Sequence, residues 1–326
     1  MLATAELAPP AGRRWLRRKT QRREIVNRAL APAAAIGMFI WVASLQGDVA
    51  TYSGLTLLLS SAIPLVAASL AALVVISIGD IDVGIGFFIG LTNAISSQYL
   101  PRHELLGWLL LIGLILAYSG IGALIELGRV PAIVATLGAS FIWMGAGLVV
   151  LPVPGGTSPG WLNSFFNLTP PLVPFPIVIM VVLVAATTWF MSRTSLGTGI
   201  RAVGANAQSA RRHGWSILRL RMVAFGVAGL LGVIGGLSVT AVADSGSPGS
   251  SADLTLLAIA AVILGAGEFS GGYAFPLGAV AGAVAISLAT SLLTFLNVSS
   301  NYQGSVVGII LIVILLARVV TKGSRR

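Results

Sequence analysis

The chain is poor in groups that could make or break bonds. It carries ten Asp and Glu, two His and no Cys, so disulfides and thiolate chemistry are excluded. His103 and His213 are too few for a histidine metal cage. No G-x-x-x-x-G-K-S/T run offers a phosphate loop, and no catalytic cluster stands out. What the acids can do is organise backbone. Asp80 and Asp82 stand two apart in Ser77-Ile-Gly-Asp-Ile-Asp-Val-Gly-Ile-Gly86, where the glycines permit tight turns. Asp82 is placed to cap a following helix, its charge suiting the positive N-terminal end. Such a cap also shapes the inner mouth of a pathway. Glu268 closes a second constrained turn, Gly265-Ala-Gly267-Glu268, with Gly271-Gly272 just beyond. Thr136 and Ser140 are four apart and share a helix face, with Gly138 between them. They either line a polar route or bond back to the carbonyl one turn earlier.

The elements that must position these groups are apolar. Hydrophobic residues make up 56% of the chain and charged ones 9%, against about 25% charged in soluble domains. Mean hydropathy is +0.95. That excludes a cytosolic enzyme, a nucleic-acid-binding domain and a disordered regulator. The stretches free of charge are 29–47, 49–79, 83–101, 105–125, 130–192, 222–243, 254–267 and 269–317. A span needs about 20 apolar residues, so 130–192 and 269–317 each hold two, divided at 151–160 and at 297–303. The stretch 254–267 is short for a span and reads as buried or partly broken. The expectation is an all-α polytopic membrane protein with about ten transmembrane segments, some short or broken.

With ten segments, 19 of the 20 Lys and Arg fall on one side: eight before residue 29, Arg129, six between Arg193 and Arg221, and four from Arg318 onward. Only Arg102 falls on the other. The positive-inside rule makes the basic side the cytoplasm, with both termini there. The net charge of +10 is then a topology and lipid-headgroup signal, with no nucleic acid required. The division is 1–28, a basic tail or interfacial helix; 29–320, a single transmembrane domain; and 321–326, a cytoplasmic tail. Within it, 192–221 is the one sizeable cytoplasmic loop. Residues 205–213 favour a short helix, and Gly214 is placed to end it.

Several motifs resemble the ABC transporter permeases. Gln208-Ser-Ala210-Arg-Arg-His-Gly214 is similar to their coupling segment, keeping Ala210 and Gly214. Four others resemble the ribose-type monosaccharide permeases in particular. They are Gly79-Asp-Ile-Asp82-Val-Gly-Ile-Gly86, Pro131-Ala-Ile-Val-Ala-Thr-Leu-Gly138, Arg201-Ala-Val-Gly-Ala-Asn206 and Leu257-Ala-Ile-Ala-Ala-Val-Ile-Leu-Gly265. The likeness covers roughly residues 30–320, with the motifs in order.

The resemblance implies a subunit without catalytic chemistry, in a bacterial inner membrane. ATP and Mg would be handled by a cytoplasmic tandem ATPase. A second permease, identical or not, and a periplasmic sugar-binding protein would complete the importer. Gly204, Asn206, Gln208, Ala210, Arg211 and Gly214 would form the ATPase-coupling surface. A neutral sugar needs hydroxyls and amides along its path, which makes Thr92, Asn93, Thr136 and Ser140 the pathway candidates. Asp80, Asp82, Gly265 and Glu268 would form the inner mouth or its turns. Two rivals stay open. One is the same architecture carrying a nucleoside, a signalling sugar or a branched-chain amino acid. The other is an ion-coupled transporter or channel using Asp80, Asp82 or Glu268.

Overall fold

A computed structural model describes residues 31–266, 271–299 and, beyond them, 302, 304, 305, 308, 309 and 312. The expected N-terminal tail 1–28, Gly267, Glu268 and the tail 321–326 lie outside the described residues, as does most of the expected tenth segment. Besides a short 3₁₀ turn at Gly47–Ala50, thirteen α-helices lie within residues 31–299. They are α1 (Ala31–Leu45), α2 (Tyr52–Ser60), α3 (Ile63–Ser77), α4 (Ile85–Tyr99), α5 (Glu104–Gly128), α6 (Ala132–Val150) and α7 (Gly160–Phe166). Then come α8 (Phe175–Arg193), α9 (Ser195–Ala205), α10 (Ala207–Arg212), α11 (Ile217–Ala243), α12 (Leu254–Ala266) and α13 (Pro276–Phe295).

Five helices, α5, α6, α8, α11 and α13, are long and apolar enough to cross a membrane, and α2 with α3 makes a sixth bent by 44°. Helices α1, α4 and α12 fill three more of the expected segments but are shorter. All fifteen residues of α3 are buried, so it is the central post, packed by α11, α12 and α13. By contrast α5, α6 and α8 turn rows of Leu, Ile, Val and Phe outward, as a hydrocarbon-facing shell does.

Seven described arginines gather at one end of the bundle: Arg129, Arg193, Arg201, Arg211, Arg212, Arg219 and Arg221. Arg102 sits at the other. At the opposite end, Gly155 and Gly246 exchange backbone hydrogen bonds of 3.0 and 2.7 Å, and the Tyr52 hydroxyl donates to Pro170 O at 2.8 Å.

Two spans are interrupted in the interior, and α11 serves as a ruler for their depth. Ile85 and Phe88, in the first turn of α4, pack on Gly232, the sixteenth of the 27 residues of α11. So α4 begins inside the bundle and runs to the opposite end. The chain after α11 then turns back inward. Gly246 lies beside Ser97, Pro248 beside Gly90, and Ser251 beside Gly86. That return follows α4 for about 16 Å at 1.5 Å per residue. From there α12 runs toward the arginine-rich end, its Ala261 and Gly265 lying on Gly282 and Gly278 of α13.

The starts of α4 and α12 therefore meet inside the bundle, where Gly86 N–H donates to Thr255 Oγ1 at 2.8 Å. Helix α3, link 78–84 and α4 form one unit; α11, link 244–253 and α12 form another of opposite sense.

Asn93 holds the second link in place. Its amide donates to Thr240 Oγ1 at 2.9 Å and to Ser245 O at 3.0 Å, and its Oδ1 accepts from Ser247 N at 2.7 Å. Asn93 is fully buried, so truncation orphans those partners. Asn93→Ala should cost on the order of 1–3 kcal/mol. A thermal melt of the purified protein in detergent, run beside the parent, measures it.

Candidate functional site

The loop 192–221 folds as two helices meeting at a corner. Thr194 caps α9 by accepting from Gly197 N at 3.0 Å. Asn206, extended at φ −163°, ends α9 and caps α10, its Oδ1 accepting from Ser209 N at 2.8 Å. Helix α10 ends as the sequence indicated. Gly214 has φ +83°, Gly214 N donates to Arg211 O and Trp215 N donates to Ala210 O, both at 3.1 Å. That pair of bonds is a Schellman motif with Gly at its left-handed position.

The two helices are anchored from beneath. Gly197, Gly199, Ile200 and Val203 of α9 are buried, and so is Ala210 of α10. Gly204 makes the closest approach. A Cβ there would lie 2.0 Å from Ser77 O and 2.6 Å from Gly272 N, so any other residue would separate the helix from the bundle. Ser77 O also accepts from Gly272 N at 2.9 Å, and Ser77 Oγ donates to Tyr273 O at 3.1 Å. Three backbones thus meet: the end of α9, the end of α3 and the link into α13. Asn206, Gln208, Arg211 and Gly214 are exposed. Of the six residues expected at a coupling surface, four face outward, while Ala210 and Gly204 turn toward the bundle.

Beside α10 lies a cavity of about 840 Å³, lined by Asp80, Glu126, Arg129, Arg211, Trp215 and Arg221 among others. Arg221 Nε and Nη2 donate to the two oxygens of Asp80 at 2.8 and 3.2 Å, and Nη1 donates to Glu126 Oε2 at 2.6 Å. Arg211 Nη2 reaches Glu126 Oε1 at 3.2 Å. Asp82 is buried two residues from Asp80. Its Oδ1 accepts from Gly84 N at 2.8 Å and its Oδ2 accepts from the Tyr118 hydroxyl. Asp82 is not the helix cap its spacing suggested: Gly84 takes the N-cap of α4 without a side-chain cap bond, and Asp82 instead holds the turn before it, with a partner on α5 that the sequence did not mark.

The four pathway candidates sit on two packed helices, α4 and α6, and all are buried. Thr136 Oγ1 donates to Ala132 O at 2.9 Å and accepts from Val83 N at 3.2 Å. Ser140 Oγ donates to Leu137 O at 2.6 Å. Asn93 holds the 244–253 link. Thr92 Oγ1 has no partner among the described residues. Gly265 lies in the α12–α13 contact, on the Gly278 backbone, and Glu268 lies outside the described residues. Sequence reasoning missed Arg221, Glu126 and Tyr118. Glu126 left one signal: it is an acid within the last turn of an otherwise apolar helix.

Interrupted spans in an apolar bundle, with one rigid basic helix pair exposed at an end, define a multi-pass transport-type membrane protein. The chain belongs to the family described as branched-chain amino acid transport system / permease component, whose model matches residues 54–315. It is 30% identical over 217 residues to the ribose import permease protein RbsC of Haemophilus influenzae, covering 63% of this chain and 66% of that one. Against RbsC of Escherichia coli K12 the identity is 30% over 206 residues, 61% and 64% of the two chains. The autoinducer 2 import system permease protein LsrC of Photorhabdus laumondii is 30% identical over 232 residues, 69% of each chain. The matches span just under two thirds of the ribose permeases' own length. No solved structure matches the chain.

Replacing Gly214 by Ala places a Cβ in the left-handed conformation, a penalty of about 1–2 kcal/mol. Gly214→Ala should accelerate amide exchange over 207–215 about five- to thirtyfold and leave α5 and α11 unchanged. Hydrogen-exchange mass spectrometry reads this directly.

Proposed function

We propose that the chain is the membrane permease subunit of an ABC importer for a monosaccharide or a related small polyol. The carrying observation is α10. It is a capped helix with an exposed outer face and a buried Ala210, joined at Asn206 to α9, whose Gly204 sits on the end of α3 and on Gly272 in the link before α13. A solvated linker between two spans needs only a few residues and would not be built this way. In this reading the arginine-rich end faces the cytoplasm of a bacterial inner membrane, and a ten-segment bundle has both termini there. A partner ATPase grips Asn206, Gln208, Arg211 and Gly214. It hydrolyses ATP, and the permease contributes only movement. A second permease and a periplasmic sugar-binding protein complete the system.

The mechanism follows from the junction under α9. Displacement of α10 moves Gly204 against Ser77 O, hence α3, and against Gly272, hence α13. Helices α3 and α13 both pack on α12, so the push reaches both half-spans. Along the pathway a neutral sugar needs hydroxyl partners. Here Thr136, Ser140 and Asn93 spend their hydroxyl or amide groups within the chain, and the Thr92 hydroxyl has no partner among the described residues. Asp80, Asp82 and Gly265 are the turns and contacts that open with the inner mouth, and Glu268 is assigned to the same mouth. The names of the ribose and autoinducer 2 relatives favour a sugar over a branched-chain amino acid. The ion-coupled alternative is disfavoured because Asp80 is held by Arg221 and Asp82 by Tyr118 and Gly84 N–H, which leaves neither free to carry an ion.

Gln208→Trp adds bulk on the outer face of α10 and leaves the buried contacts alone. It should abolish co-purification of the cognate ATPase while the permease melts within about 1 kcal/mol of the parent. Normal recovery of the ATPase with this variant would overturn the assignment of α10.

A further inference from the structure

The Arg221 ion-pair chain crosses four elements. Link 78–84 supplies Asp80, α11 supplies Arg221, α5 supplies Glu126 and α10 supplies Arg211. Resting on the permease reading above, we infer that Arg221 is the positioning residue that ties the coupling helix to the interior break at the start of α4.

The Arg221 side chain is 18% exposed, and one planar fork holds both oxygens of Asp80 and one of Glu126. A guanidinium fixes the relative orientation of two carboxylates in a way an ammonium cannot. Its platform is rigid. Gly122 of α5 packs directly on the Arg221–Met222 backbone, and Ser119 Oγ donates to Met222 O at 2.9 Å. With α5 and α11 fixed to each other, the parts free to shift are the two ends of the chain, α10 and link 78–84. At the outer end, Arg211 is 69% exposed, and an ion pair that open is worth little. It can be made and broken as α10 moves. At the inner end, Asp80 is two residues from Asp82, which holds Gly84 N and Tyr118 at the start of α4. The Gly204–Ser77 contact transmits compression, since it is steric. The buried Asp80–Arg221–Glu126 pairs resist separation and hold the link to the α5–α11 platform, and the exposed Arg211–Glu126 pair adds a weak tie from that platform to α10.

The chain has no Cys, which allows clean spin labelling of Ser209→Cys on α10 with Ile81→Cys in the link. In the purified parent the two labels should give one narrow distance distribution. Arg221→Lys, which keeps the charge but loses the fork, should broaden it, and so should Asp80→Asn. The double variant should be no broader than the worse single, because both remove the same contact. Arg219→Gln should leave the distribution unchanged, since that exposed arginine has no ion pair among the described residues.

In vesicles holding the assembled importer, Arg221→Lys and Asp80→Asn should retain the ATPase but lower substrate taken up per ATP hydrolysed about tenfold. Arg221→Lys leaving both the distribution and that ratio within about twofold of the parent, or single effects that multiply in the double, would overturn the role of Arg221. Failure of the parent itself to recover an ATPase would count against the permease reading. The labelled distances decide the role of Arg221 without that partner.

Discussion

Inside hydrocarbon an unpaired backbone N–H or C=O costs several kcal/mol, and this chain breaks its helices there twice. Each break is filled by a side chain acting as acceptor. Val83 N–H goes to Thr136, Gly84 N–H to Asp82, Gly86 N–H to Thr255 and Ser247 N–H to Asn93. The pairing is reciprocal. Thr255, at the start of α12, completes the start of α4, and Asn93 on α4 completes the link that leads into α12. Neither half-span can be displaced alone without exposing an unpaired N–H, so the two move together or not at all.

That reciprocity explains why residues suited to a pathway by type turn out to be fasteners. Thr136 and Asn93 are the polar groups expected along a sugar route, yet each is occupied by a backbone group of a break. In such a protein one hydroxyl or amide can serve both purposes in different states. Thr92 differs from the others in that its hydroxyl has no partner among the described residues.

Much of this was legible in one dimension. Charge-free stretches placed the long helices because apolar length is what a bilayer demands. The stop at Gly214 was readable because a left-handed glycine acts within a few residues, whereas the corner was not: 205–213 read as one helix, and Asn206 instead ends α9 and caps α10. Asp82 read as the cap of α4, but Gly84 takes that position and the Tyr118 partner of Asp82 lies 36 residues away. Illegible were the bonds that cross the chain: Asp80 to Arg221 is separated by 141 residues, and Gly86 to Thr255 by 169. Arg221 read as a topology charge since nothing near it in sequence announces a carboxylate. The stretch 83–101 read as a full span although α4 has 15 residues and starts inside the bundle, because hydropathy reports apolar content and is blind to where a helix begins.

The two couplings beneath α10 differ in physical kind, and the difference bears on direction. Steric contact at Gly204 is stiff, short-ranged and acts only on approach. Charge-assisted hydrogen bonds around Arg221 act on approach and on withdrawal, and they are shielded from solvent except at Arg211. The buried half of the charge chain, Asp80–Arg221–Glu126, holds link 78–84 to the platform of α5 and α11. The exposed half, Arg211–Glu126, is the ion pair that reaches α10 among the described residues, and an ion pair that open gives way easily.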